Sequence, residues 1–589
     1  MRMANCLCHL GLSISRPPTV PPRRNLLGGP SFCHLLHRPP LGTRLVCMSY
    51  GNIAIPKAPV DFGGSVWGDF FLNNTPQHFQ KSDEWMRERA KKLKEEVNGL
   101  FKDCQDVVKK MDLVDVLQRL GIDHLFEEQI DTTLRSIHSS KFDSSSVRKV
   151  ALRFRLLRQH GFWVSPEEFN KFKHEDGTFI NELTSDPKGL LSLYNAAHLL
   201  THNETALEGA IMFARNHLEL MKSGLKSPLA EQVTRALQIP LPRTLKRLEA
   251  VNYISEYKME EQTYNPSILE LAKLDFTLLQ HLHTQELKAV SQWWKDLSTY
   301  IGLDYVRDRG VECYFASCAL YYEKENARAR MILAKIIMLW SILDDTYDAR
   351  ATLEESQILN EAIQRWDESA ASLLPGYLKK FFVKVIRSVR EFEDELEPHQ
   401  KYRTAYIKKA FQRVSHAHLK ESEWFHENYI PSIKDKMCVS SVTGGGQIMC
   451  VGLLLGMGDL ATIEAFEWAI GCSNAVRACG EMGRYMNDMA EFQLGRNEKD
   501  VASSVECYIK EHNVTSDVAL AKICDLIEDT WKTMNEALFE HHNLLPVVQR
   551  LTNYARIVMF INHEKIDAYT YSEELKATIK IQYVDPIKF

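Results

Sequence analysis

Residues 331–348 read Met-Ile-Leu-Ala-Lys-Ile-Ile-Met-Leu-Trp-Ser-Ile-Leu-Asp-Asp-Thr-Tyr-Asp. The run 331–343 is apolar at helical spacing and has no Gly or Pro, so it predicts a helix. It ends in Asp344 and Asp345, and Asp348 follows. At about 100° per residue, Asp344 and Asp348 fall on one helix face with Asp345 beside them. Three carboxylates at the end of an apolar helix repel one another and resist burial. Cations relieve that cost. Mg²⁺ suits the set because it is hard, oxygen-loving and commonly shared between a few carboxylates and substrate phosphates. Alone, such a cluster would read as a solvated helix end; its apolar context argues otherwise.

Two further groups carry the same chemistry. Arg307-Asp308-Arg309 lies upstream, and two guanidinium groups can grip a diphosphate bidentately. Downstream stands Arg484-Tyr485-Met486-Asn487-Asp488-Met489-Ala490-Glu491. Asn487 and Glu491 are four apart and share a helix face, with Arg484 one turn before. Either group alone would pass for a charged surface helix.

Outward from these groups the chain reads as helical throughout. Of its 589 residues, 45% are hydrophobic and 25% charged, enough for sizeable cores in a soluble protein. Strand and hairpin signals are rare, and no repeat of fixed period suggests a solenoid. The net charge of -5 gives no nucleic-acid footprint. No apolar run reaches membrane-spanning length, so no span is expected. The thirteen cysteines are scattered without paired zinc spacing and read as free thiols. The Asn265-Pro266 pair marks a helix start and divides the chain into two helical halves. The first half contains no Asp-x-Asp-Asp cluster of the kind that could protonate an alkene.

Residues 1–48 differ from the rest. They hold six Arg and seven Pro and no acidic residue. That is the composition of an organellar transit peptide and predicts plastid import, with a cytoplasmic protein as the alternative.

Taken together, these segments resemble the plant class I terpene synthase family. The likeness covers nearly all of the chain after the tail. It is carried by Ser65-Val66-Trp67-Gly68-Asp69-Phe70-Phe71-Leu72, by Leu152-Arg153-Phe154-Arg155-Leu156-Leu157-Arg158 and by Leu269-Glu270-Leu271-Ala272-Lys273-Leu274-Asp275-Phe276. Arg307-Asp308-Arg309 with Glu312-Cys313-Tyr314-Phe315, the Asp344 motif, and Val501-Ala502-Ser503-Ser504 complete it. The resemblance implies an all-α fold of two helical domains. A catalytically silent domain would span 60–265, and a metal-binding barrel 266–589. It implies a carbon–oxygen lyase that ionises geranyl or farnesyl diphosphate and releases diphosphate. It also implies three Mg²⁺, with Mn²⁺ as a possible substitute. The ligands would be Asp344, Asp345, Asp348, Asn487, Asp488 and Glu491. Arg307, Arg309, Arg484, Asp344, Asp348 and Asn487 would bind substrate. Arg307, Arg309, Arg484, Asp567 and Tyr569 would assist catalysis. A small-molecule substrate and a monomer are expected.

Departures from the family pattern sharpen this. The second metal motif usually runs Asn or Asp, then Ser or Thr four residues later, then Glu after eight. Here it reads Asn487, Glu491 and Gly495. Glu491 is expected to replace the missing Glu, and Glu491→Ser with Gly495→Glu to recover part of the activity. Lys57-Ala58 stands where the family often has twin arginines. That leans toward an acyclic monoterpene or a sesquiterpene-type enzyme. The transit-like tail leans toward plastid geranyl diphosphate, so chain length, product and stereochemistry stay open. Ala316 replaces a common Trp, and Asn562 the first Tyr of a Tyr…Asp-x-Tyr triad. Trp340 is a candidate pocket aromatic. Thr443-Gly444-Gly445-Gly446 predicts a helix break that frees backbone carbonyls, and the resemblance implies that these can face the cation. Two alternatives remain. A chain-elongating prenyltransferase would need a second full Asp-Asp-x-x-Asp, and a non-catalytic helical scaffold is supported only by the altered second motif.

Overall fold

The computed structural model describes residues 64–73, 82–260, 262–495 and 501–588. The tail 1–48 and Lys57-Ala58 lie outside the described residues. Among the described residues the chain is all helix and turn, with one isolated bridge between Lys173 and Phe179. The all-α expectation is met.

In the first half, helix α1 (Val147–Gln159) is buried along almost its whole length. Its Arg158, fully buried, grips Glu204 through two bonds of 2.6 and 2.7 Å and also donates to the carbonyls of Val164 and Leu199. A buried guanidinium is tolerable only when its donors are satisfied in this way.

The long helix α2 (Pro266–Ile301) begins where Asn265-Pro266 predicts. Asn265 Oδ1 accepts from the Ser267 and Ile268 N–H groups, and Pro266 occupies the first turn, where no donor is needed. At 1.5 Å per residue its 36 residues span about 54 Å. Ile268 to Phe276 pack in the first half's core, and Leu279, Leu287, Val290 and Trp294 in the second. The first described segment belongs to the second core as well: Trp67 and Phe71 are buried there. The Trp67 indole donates to Glu312 Oε1 at 3.0 Å, on helix α3 (Gly310–Leu320).

Five more helices frame the site. They are α4 (Ala327–Asp345), α5 (Arg403–His426), α6 (Ile433–Thr443), α7 (Gly446–Leu455) and α8 (Asn474–Gln493). By length and composition 433–455 is apolar enough to cross a membrane, which the sequence reading missed. Its most apolar window is 78% buried, however, and Gly445 at φ +84° breaks it. It is a core element. The clefts between the two halves, lined by Arg119, Arg155, Arg235 and Arg243, share no lining residue with the Asp344 cluster.

Candidate active site

Helix α4 is buried over most of its length and delivers Asp344 and Asp345 at its end. There the winding loosens. Thr346–Arg350 forms a π turn, with the Ala351 N–H bonded to the Thr346 carbonyl five residues back at 2.8 Å. The Thr346 hydroxyl ties back to the Ile342 carbonyl at 2.7 Å. Asp348 lies on this turn.

Arg307 organises the first two carboxylates. Its main-chain N–H donates to Asp345 Oδ2 at 2.8 Å, and its Nε lies 2.7 Å from Asp345 Oδ1. One terminal nitrogen donates to Asp344 Oδ2 at 2.6 Å and the other to the Thr570 hydroxyl at 3.0 Å. The guanidinium stands 5.2 Å from the Tyr569 ring centre. Burial works against its charge, but Asp345 and Asp344 outweigh burial and hold it above its usual range. Asp345 is 1% exposed, and burial pushes its carboxyl up to about 6 despite Arg307. A divalent cation would remove that burden, since it favours the ionised form. One observation supports a cation directly: a ligand atom from each of Asp344, Asp348 and His418 lies within 4.8 Å of the others. The donor set fits a hard divalent ion.

The remaining sequence-predicted residues of this wall support it from behind. Arg309 is buried and donates to the carbonyls of Asp308, Tyr569 and Thr570 at 2.7–2.9 Å. It thus fixes the loop that carries Tyr569. Asp567 turns the same loop, accepting from the Tyr569 and Thr570 N–H groups at 3.0 and 3.2 Å. The Tyr569 hydroxyl donates to Ser341 at 2.7 Å, and burial holds its phenol well above its usual range, so it stays neutral.

On the opposite wall, α8 brings Arg484, Asn487, Asp488 and Glu491 onto consecutive turns. Arg484 pairs with Asp488 at 2.8 Å and donates to Asn487 Oδ1. Asp488 is buried and accepts the Ser504 N–H at 2.6 Å, at the start of helix α9 (Ser504–His512). Its carboxylate therefore anchors α9, a role that the ligand assignment did not foresee. Glu491 is half-buried. Gly495 lies past the helix end at φ +67°, its N–H closing on the Phe492 carbonyl at 3.2 Å. It is a left-handed cap, a conformation that glycine adopts without cost. The position eight residues after Asn487 is thus no longer on the helix face.

The glycine break is present, but its carbonyl is engaged. The Tyr554 hydroxyl donates to the Gly444 carbonyl at 3.1 Å. Gly445, left-handed, lies against the Trp340 ring, where a side chain could not fit. Trp340 sits one turn before Asp344 on α4 and is half-buried.

His418, on α5, was missed. Nothing near it in the sequence marks it, because its neighbours Asp344 and Asp348 lie some seventy residues away on another helix. Its helix neighbour Glu421 is buried. Burial alone would raise that carboxyl, but Lys436 at 3.4 Å, His418 and Arg484 hold it at about 2. The Ser440 hydroxyl also donates to it.

Comparison with known proteins agrees with this geometry. Residues 66–237 match the "Terpene synthase, N-terminal domain" family and 295–533 the "Terpene synthase family, metal binding domain". The chain is 62% identical to tau-cadinol synthase of Zea mays over 541 residues, 91% of this chain and 98% of that protein. It is 56% identical to alpha-copaene synthase of the same plant, covering 89% and 99%. Among solved structures, isoprene synthase of grey poplar, in complex with three Mg²⁺ ions and dimethylallyl-S-thiolodiphosphate, superposes with a TM-score of 0.80 at 30% identity. That match covers 85% of this chain and 97% of the other.

Proposed function

The chain belongs to the terpene synthase family, and on that premise we propose that it converts farnesyl diphosphate to a cyclic fifteen-carbon terpene. The family assignment makes it a lyase of prenyl diphosphates. The longer chain and the ring closure are our reading, supported by the fifteen-carbon, cyclic products named for tau-cadinol synthase and alpha-copaene synthase.

The observation that carries the mechanism is the crowding of carboxylates at the end of α4 around the single Arg307. Three Mg²⁺, or Mn²⁺ in their place, would be held by Asp344, Asp345 and Asp348 on one wall and Asn487 and Glu491 on the other, and would draw off the charge developing on the departing diphosphate. Arg307 is placed to follow that diphosphate. One of its terminal nitrogens already reaches past the aspartates to Thr570. Arg484 stands ready on the facing helix beside Asn487. Arg309 and Asp567 act one step back, by fixing the loop of Tyr569. Trp340 stands one turn before Asp344 on α4, and an aromatic face there would stabilise a cation. Tyr569, held neutral and bonded to Ser341, supplies a polar edge without a charge that would quench the cation. Proton loss or water capture ends the sequence. A chain-elongating prenyltransferase is disfavoured because Asp488 is engaged with Ser504, leaving α8 without a second aspartate-rich pair.

Incubation with geranyl, farnesyl and geranylgeranyl diphosphates plus Mg²⁺, followed by product analysis, tests the reading. Highest kcat/KM with farnesyl diphosphate and a cyclic product are expected; a preference for geranyl diphosphate overturns it. Plastid import remains a separate proposal, resting on the Arg-bearing, acid-free composition of 1–48. A fusion of 1–60 to a fluorescent protein that stays in the cytosol removes it.

A further inference from the structure

His418 is 1% exposed, and neither of its ring nitrogens has a hydrogen-bond partner. A buried imidazole in that state is costly unless something else occupies the gap. Nε2 lies 3.6 Å from Asp344 Oδ1, and Nδ1 lies 3.9 Å from Asp348 Oδ1 and 3.8 Å from Glu421 Oε2. The Tyr347 ring stacks on the imidazole at 5.4 Å and 10°, which fixes its plane. These separations are too long for hydrogen bonds. The Nε2–Asp344 separation suits two donors to one small cation, since ligands at metal distances of about 2.1 Å stand roughly 3–4 Å from each other, and Asp348 offers a third donor within 4.8 Å of both.

We propose that His418 Nε2 is a nitrogen ligand of the divalent cation held by Asp344 and Asp348, with Glu421 closing on the N–H of Nδ1 once the cation is bound, and that this position consequently prefers Mn²⁺ and Co²⁺ to Mg²⁺. The proposal rests on the reading that Asp344 and Asp348 hold a metal. Its chemistry follows from three facts. Metal-bound histidines donate their other N–H to a carboxylate, which sets the tautomer and raises ligand basicity. Glu421 faces Nδ1 and is itself held in place by Lys436 at 3.4 Å and by the Ser440 hydroxyl. Imidazole favours the later first-row ions, whereas Mg²⁺ demands oxygen.

The test uses the full chain with Mn²⁺ and inorganic diphosphate, read by pulsed electron paramagnetic resonance. The wild type is expected to show ¹⁴N modulation from one imidazole. His418→Phe keeps the stack on Tyr347 and is expected to abolish the modulation. It should also lower the Mn²⁺-over-Mg²⁺ preference about tenfold in a competition titration. Should that variant fail to fold, wild type labelled with ¹⁵N-histidine carries the test, because the pattern must change from ¹⁴N to ¹⁵N. Modulation that survives His418→Phe overturns the proposal. So does Mn²⁺ that binds in an Asp344-dependent way without nitrogen coupling, and in that case the metal reading stands. Absence of any Asp344-dependent Mn²⁺ overturns both.

Discussion

Arg158 in the first half and Arg307 in the second are both buried guanidinium groups facing carboxylates, and they do different things. Arg158 meets one carboxylate, Glu204, in a bidentate pair, and two carbonyls take the rest of its donors. Charge and hydrogen bonds close within the fold. Arg307 divides itself between Asp344 and Asp345, while Asp348 and His418 stand just beyond. Three carboxylates and an imidazole crowd together there, where Arg158 faces a single carboxylate. A closed pair holds structure together; a crowded cluster awaits a ligand. The contrast separates the two halves by chemistry, although both are all-helical.

The sharpest way to break the contrast is to remove a carboxylate from the crowded end. Asp344→Ala should cost about 10³-fold or more in kcat, because a metal ligand is lost. Its melting temperature should stay close to wild type, since self-repulsion also falls. Normal turnover with Mg²⁺ would sink the metal assignment. At the closed pair the pattern reverses. Glu204→Gln leaves a buried guanidinium without its counter-charge and should destabilise the fold by about 3–5 kcal/mol in denaturant titration. Enzyme that remains folded should keep its KM. A large KM change at full stability would give the first half a part in the chemistry.

Glu491→Gln probes the second wall. Size and hydrogen bonding persist while the charge that Mg²⁺ favours disappears. A drop of about 10–100-fold in rate and a higher Mg²⁺ requirement are expected, with little change in melting temperature. Wild-type behaviour across a Mg²⁺ titration would make Glu491 a solvated helix residue.

The joint between the halves has its own signature. His124 Nε2 lies 3.4 Å from Asp275 Oδ1 on α2. Burial lowers the imidazole, but Asp275 and Asp123 outweigh it and raise His124 to about 9. A raised folded value means stability that is complete below about pH 6.5 and lost as pH rises through 9. Denaturation followed from pH 6 to 10 should show a loss of about 3 kcal/mol that His124→Gln abolishes. The same slope in both proteins would assign it elsewhere.

How much of this the sequence carried depends on distance along the chain. The helix 331–343, the start at Pro266 and the glycine break were legible because period, caps and breakers act within a few residues. Arg307 and Arg309 look equivalent in the motif. They differ in the fold because α3 starts immediately after Arg309, leaving one guanidinium on the aspartates and the other on the carbonyls of Tyr569 and Thr570. Asp488 sits inside the motif, whereas its partner Ser504 lies on the next helix and could not be read from it. His418 had no local signal, since its neighbours come from α4.

Gly495 carries the smallest expected effect and decides how the second wall works. Sequence reasoning treats positions 491 and 495 as interchangeable, because four residues make one helical turn. That holds only while the helix continues. Helix α8 ends at Gln493, Leu494 caps it, and Gly495 turns left-handed at φ +67°. A side chain there meets no atom of the described residues within 4 Å, and the left-handed backbone costs about 1–2 kcal/mol for a residue with a Cβ. A glutamate at 495 would leave the turn on a different heading from Asn487 and Glu491. Gly495→Glu should therefore lose about 1 kcal/mol of stability with nearly unchanged kcat, and Gly495→Asn should lose less, because Asn tolerates the left-handed region. Combined with Glu491→Ser, Gly495→Glu should not restore the rate, contrary to what the motif alone implies. Substantial recovery would mean that the last turn rewinds into helix when ligand binds, and the second wall would then be the mobile partner of a rigid Asp344 cluster.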